Sequence, residues 1–157
     1  MIDHVVHVAD LLRRIVRQDP VKVHAVVGHN MFSQEWEDSA LLTLQFPGGE
    51  FATVDSSWSR PKSYKTWGDV TLKIVGEKGI IELDLFVQSS DWFSNASGAH
   101  GLLGFGSNLD FAMVEEFAKA IAEGRLPRTS MEDGLAASDI ALAAYRSVAE
   151  NRAVTVA

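Results

Sequence analysis

The sequence predicts an α+β domain built on an open, predominantly antiparallel sheet with helices packed on one face. Three observations predict it. Apolar residues recur at helical spacing near the start of the chain and again after residue 108. The stretch between them alternates apolar and polar residues as strands do. Short glycine-containing turns join those strands, so consecutive strands pair antiparallel.

The elements follow in order. From His4 to Arg17, Val5, Val8, Leu12 and Ile15 recur on one helical face. Arg13, Arg14 and Arg17 suit the negative end of that helix, and Pro20 stops it. Val21, Val23, Ala25 and Val27 then mark a first strand, and Ala40, Leu42, Leu44 and Phe46 a second. Pro47, Gly48 and Gly49 turn the chain into a third strand, Phe51 to Trp58. A second hairpin runs from Val70, Leu72 and Ile74 through Gly76-Glu77-Lys78-Gly79 to Ile81, Leu83 and Leu85. Residues 87–107 read as a long Gly/Ser-rich loop carrying Trp92, Phe93, His100 and Phe105, the kind of loop that serves as a lid.

Two helices follow. The first carries Phe111, Val114, Phe117 and Ile121 on a core-facing stripe and stops at Gly124. The second opens with Ser130 and Asp133, a variant capping box, and has an Ala-rich core face. Val154 to Val156 can add a last short strand. About five strands, three helices and no dividing linker give one domain over residues 1–157. One sheet face is left uncovered, and pairing of subunits is the economical way to cover it, so a homo-oligomer, a dimer, is expected.

Composition narrows the function. At 46% hydrophobic and 22% charged the chain is an ordinary globular protein. A net charge of −7 disfavours nucleic acid or an anionic membrane as partner. There is no cysteine, which excludes disulfides, thiolate metal sites and cysteine nucleophiles. No apolar run reaches the ~20 residues of a membrane helix, and the start has no signal-peptide pattern. The expectation is a soluble, cytoplasmic protein.

The most informative residues are Asp3 and His7, spaced i, i+4 at the head of the first amphipathic segment. On a helix that spacing puts a carboxylate and an imidazole one turn apart on one face. A carboxylate so placed orients an imidazole and favours its protonated form, a combination suited to proton transfer near neutral pH. A metal site on His4, His7 and Asp10 is the rival chemistry, that of a small lyase or hydrolase. Trp58, Tyr64 and Trp67 flank the basic segment from Arg60 to Lys65; they offer stacking faces to a polyol or sugar, or else close a sheet edge. His100 either lines the same pocket or is a solvated residue.

These residues sit in a longer pattern that resembles the C-terminal domain of the Gfo/Idh/MocA oxidoreductases, the glucose–fructose oxidoreductase and inositol dehydrogenase group. The similar stretches are residues 3–12, 38–42 leading to 46–49, Ser56-Ser57-Trp58, 74–81, 117–124 with Pro127, 132–137 and 145–152, in the family's order. The resemblance implies a dihydrodipicolinate-reductase-like C-terminal fold and a parent enzyme that uses NAD or NADP to oxidise a secondary alcohol on a sugar or polyol. It places the family's Asp-x-x-x-His motif on Asp3 and His7. His7 is then the general acid/base, Asp3 its neighbour at the substrate, and Asp10 part of the same pattern. The family's glycine-rich dinucleotide turn and Glu-Lys-Pro segment are absent from these 157 residues. Gly101, Gly104 and Gly106 have the reverse spacing, G-x-x-G-x-G. The expectation is therefore a substrate-binding and oligomerisation half that is catalytically silent without its nucleotide-binding domain, with no cofactor or metal bound by this chain alone. A stand-alone binding or assembly module is the alternative.

Overall fold

The segment that opens the chain folds as α1, Val5–Val16, in a computed structural model that describes residues 1–58, 60–64, 66 and 68–156. There follow β1 (Lys22–Gly28), β2 (Ser39–Gln45), β3 (Phe51–Ser57), β4 (Thr71–Gly76), β5 (Gly79–Asp84), β6 (Ser89–Ser94) and β7 (Ala99–Gly104). Then come α2 (Leu109–Glu123), α3 (Met131–Glu150) and β8 (Val154–Thr155). The chain forms two compact units, one of Met1–Ser59 with Leu126–Ala157, the other of Arg60–Arg125.

The first unit holds a four-stranded sheet in the order β3-β2-β1-β8, antiparallel throughout. Val23 pairs with Leu44 and Val154, and Leu42 with Ala25 and Val54, so apolar residues share one face. That face is covered by α1 and α3, as the period-2 and helical patterns require. Val5, Ala9 and Leu12 are the buried residues of α1. From α3, Ala137, Ile140, Ala141, Ala143, Ala144 and Ser147 are buried. Small alanines let that helix lie close to the sheet. Ser147 is completely buried, and its hydroxyl accepts the Ala25 N–H at 3.0 Å while donating to the Arg152 carbonyl at 2.7 Å. On the other face Val26, Leu41 and Phe51 are exposed.

Local chemistry sets the ends of these elements. Arg17 closes α1 in a left-handed conformation, its N–H donating to the Arg13 carbonyl at 2.7 Å. Gly49, with φ 95°, lets the chain reverse between β2 and β3. Ser130 and Asp133 form the reciprocal capping box at the start of α3.

The second unit contains the two-stranded sheets β4-β5 and β6-β7, and α2. The β4-β5 hairpin has the expected turn, with Gly76 paired to Gly79. Three sequence expectations are corrected. Residues 87–107 are not a long loop: β6 and β7 pair from Ser89 opposite Gly104 to Ser94 opposite Ala99. Gly101 explains its own presence there, since a Cβ at that position would lie 2.5 Å from the Trp92 ring. The strands number eight among the described residues, in three sheets, against about five expected in one. Finally, the α2 stripe is not core. Phe111, Val114, Phe117 and Ile121 are all exposed, because periodicity reveals an apolar face but not what covers it.

Candidate functional site

Asp3 lies in the turn that precedes α1, and His4 is the N-cap position, with φ −108° and ψ −39°. Because the helix starts only at Val5, Asp3 is not one turn below His7 on a continuous helix. Its Oδ2 instead lies 3.6 Å from His4 Nε2. The His7 ring is exposed on the first turn, and no hydrogen bond from a described residue engages it. The carboxylate and both imidazoles thus share the mouth of α1, but the contact is between Asp3 and His4.

His4 leads into a row of aromatic rings. Its imidazole centroid is 5.3 Å from that of Trp58, which is 5.6 Å from Trp36, which is 6.2 Å from Phe32. The row is built by Asp38, the residue before β2. Asp38 is buried, and its carboxylate accepts the backbone N–H groups of Met31 and Phe32 at 2.6 and 3.0 Å. Its carbonyl accepts the Trp58 N–H at 2.9 Å. Burial alone would raise the Asp38 carboxyl, but those backbone donors and the Ser39 hydroxyl hold it below its ordinary value.

Asp10 is committed elsewhere. Its Oδ2 accepts from Arg14 Nε at 3.0 Å, and its buried Oδ1 faces Arg13 Nη1 at 3.6 Å. Arg14 reaches on to Thr129 and Asp133 at 3.1 and 3.2 Å, so Asp10 helps clamp α1 to the start of α3. Among the described residues no group of three His, Asp or Glu side chains converges to hold a metal ion. The metal reading of His4, His7 and Asp10 is corrected on that geometry: the Asp10 carboxylate is turned to guanidinium groups.

Tyr64 and His100 belong to the second unit. The Arg60 guanidinium lies over the Tyr64 ring, 5.0 Å from its centroid. His100 stands on β7, its Nε2 3.0 Å from Asp91 Oδ1 and its ring stacked 4.8 Å from Phe93, so it is a strand residue and not a loop residue. Trp67 lies outside the described residues.

Four residues of the neighbourhood were not singled out as site residues from the sequence: Phe32, Trp36, Glu37 and Tyr145. The signal for the first two was the Phe32-x-x-x-Trp36 spacing in an otherwise polar segment. Tyr145 Oη donates to Glu37 Oε1 at 2.5 Å and accepts weakly from the Ile2 N–H, and the Met1 ammonium also donates to Glu37. Burial would raise the Glu37 carboxyl, yet the ammonium and the phenol hold it at about 2. This pair anchors the backbone next to Asp3 to α3.

The fold and the family match define the class. Residues 1–82 match the GFO/IDH/MocA C-terminal domain, and the chain belongs to that family. It is 26% identical, over 98% of its length and 48% of the relative's, to the myo-inositol 2-dehydrogenase of Thermotoga maritima. Among solved structures it resembles the myo-inositol dehydrogenase of Corynebacterium glutamicum with a TM-score of 0.74 and 26% identity, over 99% of this chain and 48% of that one. The NAD complex of GenD2 from gentamicin A biosynthesis shares the fold, with a TM-score of 0.81 and 21% identity over 99% of this chain and 47% of that one. The chain spans about half the length of the relatives it matches.

Gly101, Gly104 and Gly106 are not placed as a dinucleotide-binding turn is. Gly101 and Gly104 are on an antiparallel strand and Gly106 follows it, whereas a pyrophosphate is bound where a strand turns into a helix N-terminus.

Proposed function

We propose that this chain is the substrate-binding half of an NAD(P)-dependent oxidoreductase that acts on a secondary alcohol of a sugar or polyol. The observation that carries the reading is the position of the Asp3–His7 segment. It lies within the family match, at the exposed mouth of α1, with the His7 ring turned to solvent. An imidazole there can take the proton of a substrate hydroxyl as the carbonyl forms, or return it in reduction. Asp3, beside His4, supplies an acceptor that orients substrate hydroxyls and the adjoining ring. Trp58 offers an apolar face to the C–H side of the ring. Asp10 is a positioning residue that fixes α1, and with it His7, through Arg14.

Redox chemistry needs a cofactor held against the substrate carbon, and no residue of this chain is assigned to hold one. The chain alone is therefore catalytically silent, and activity belongs to a protein in which a nucleotide-binding domain completes the site. A homo-oligomer formed through the exposed sheet face of Val26, Leu41 and Phe51 is part of the same reading.

The experiment is to join this chain to the half of the Thermotoga maritima myo-inositol 2-dehydrogenase with which it does not align. NAD reduction is then measured over a panel of cyclitols and sugars. Reduction by the joined protein and none by the chain alone is expected. A folded joined protein inert toward the whole panel would instead favour a stand-alone binding module.

A further inference from the structure

Since no hydrogen bond from a described residue engages the His7 ring, the α1 backbone decides where that ring stands. That backbone begins without a side-chain cap. Asn108 caps α2 and Ser130 caps α3, but no side chain caps the first turn of α1. The Met1 carbonyl serves instead, accepting the His4 and Val5 N–H groups at 3.2 and 2.9 Å. The position of the Met1–Ile2 peptide therefore sets the position of the turn that carries Asp3 and leads to His7.

Two side chains hold that peptide. The Met1 nitrogen donates to Glu37, and Tyr145 Oη accepts from the Ile2 N–H at 3.4 Å. Tyr145 Oη in turn donates to Glu37 Oε1 at 2.5 Å, so the three segments form one hydrogen-bonded group. Burial, and then the Glu37 carboxylate, hold the Tyr145 phenol above its ordinary value, so it keeps the proton it donates. The Met1 nitrogen stays a donor, as a peptide N–H, when another chain is joined before it.

Tyr145 stands on α3, and the far end of α1 is tied to the same helix, where Arg14 links Asp10 to Asp133. The two ties lie about 18 Å apart along α3, at about 1.5 Å per residue. A helix held at both ends on one neighbour cannot tilt without breaking a tie, which is how a site residue on it keeps its place. We infer that Tyr145 and Glu37 are positioning residues of the reaction: they fix the Met1–Ile2 peptide, and through it the point at which His7 meets the substrate hydroxyl. This rests on the oxidoreductase reading above and adds to it the residues that hold its acid/base in place.

The first test is amide hydrogen exchange of the chain itself and of Tyr145→Phe, which keeps the ring and removes the hydroxyl. The His4 and Val5 amides are expected to exchange about threefold to tenfold faster in the variant, relative to Leu42 and Leu44 in the sheet. Unchanged ratios would overturn the tie, whatever reaction the chain serves. The second test is kinetic. In the joined protein Tyr145→Phe is expected to lower kcat about tenfold to a hundredfold, with KM within about twofold. Glu37→Ala is expected to do the same, and Glu37→Gln, which keeps an acceptor oxygen, to lose less. Ser147→Ala, also on α3 but in the core, controls for lost stability, and its kcat is expected to stay unchanged. A kcat unaltered in Tyr145→Phe, or lowered equally in Ser147→Ala, would overturn the positioning role while leaving the oxidoreductase reading standing. A joined protein that is inert before any substitution would overturn that reading and the positioning role with it; faster exchange would then describe only the start of α1.

Discussion

Asp38 and Trp58 are joined by a 2.9 Å hydrogen bond from the Trp58 backbone N–H to the Asp38 carbonyl, while the Asp38 carboxylate accepts from the backbone N–H groups of Met31 and Phe32. One buried acid thus holds the two chain segments from which the aromatic row rises. Asp38→Ala leaves two backbone donors without their acceptor, so Tm is expected to fall by about 5 °C and the near-UV circular dichroism of the tryptophans to weaken. Asp38→Asn keeps one acceptor oxygen and is expected to lose less. An alanine variant with unchanged dichroism would show that the loop is held by something else.

The acid limb of stability follows from Glu37 and Asp38. Both carboxyls lie below their ordinary values in the folded chain, Glu37 at about 2 against 4.5. A depressed carboxyl contributes stability that is fully present above its unfolded value and is lost as pH falls through the folded one. Tm is therefore expected to hold from neutral pH to about 4.5 and then decline toward pH 2. Tyr145→Phe removes one donor to Glu37, so the decline is expected to be shallower and complete at higher pH. Identical Tm–pH curves for the two proteins would contradict the role given to the phenol.

Ser147 is the polar joint of the core. Ser147→Ala removes both of its hydrogen bonds and strands the Ala25 N–H and the Arg152 carbonyl, for an expected loss of about 1–3 kcal/mol in urea unfolding. A loss below half a kcal/mol would mean that water or relaxation satisfies both groups.

Leu42 tests the hydrophobic core independently. It is fully buried between Ala25 and Val54 on the helix-covered face, and Leu42→Ala is expected to cost about 2–5 kcal/mol. Leu41→Ala, one residue away on the exposed face, is expected to cost far less in the separated chain and more at protein concentrations at which copies pair through that face. Similar losses at the two positions would mean that the exposed face is covered in solution, as an oligomer through this sheet requires.

Local rules were legible in the sequence, and tertiary ones were not. The Ser130–Asp133 box, the Gly124 stop and the Gly76–Gly79 turn depend on a few neighbouring atoms, and each stands where it was read. The β1-to-β3 alternation also carried through, because a half-buried sheet imposes period 2. The β6-β7 hairpin was hidden because its glycines resemble loop residues until Gly101 is seen against Trp92. The Asp3–His7 spacing suggested a helical i, i+4 pair. Only the backbone, with the helix beginning at Val5, reveals that Asp3 meets His4. The aromatic row assembles rings from residues 4, 32, 36 and 58, a grouping without sequence periodicity.

The central claim is that His7 moves the substrate proton. Its most direct test is kcat of the joined protein with His7 and with His7→Asn, measured across pH against its best polyol. A fall in kcat of about 10²- to 10⁴-fold is expected, with KM little changed and one ionisation lost from the pH profile. Unaltered kcat and an unaltered pH profile in His7→Asn would contradict the account and move the proton transfer to another residue.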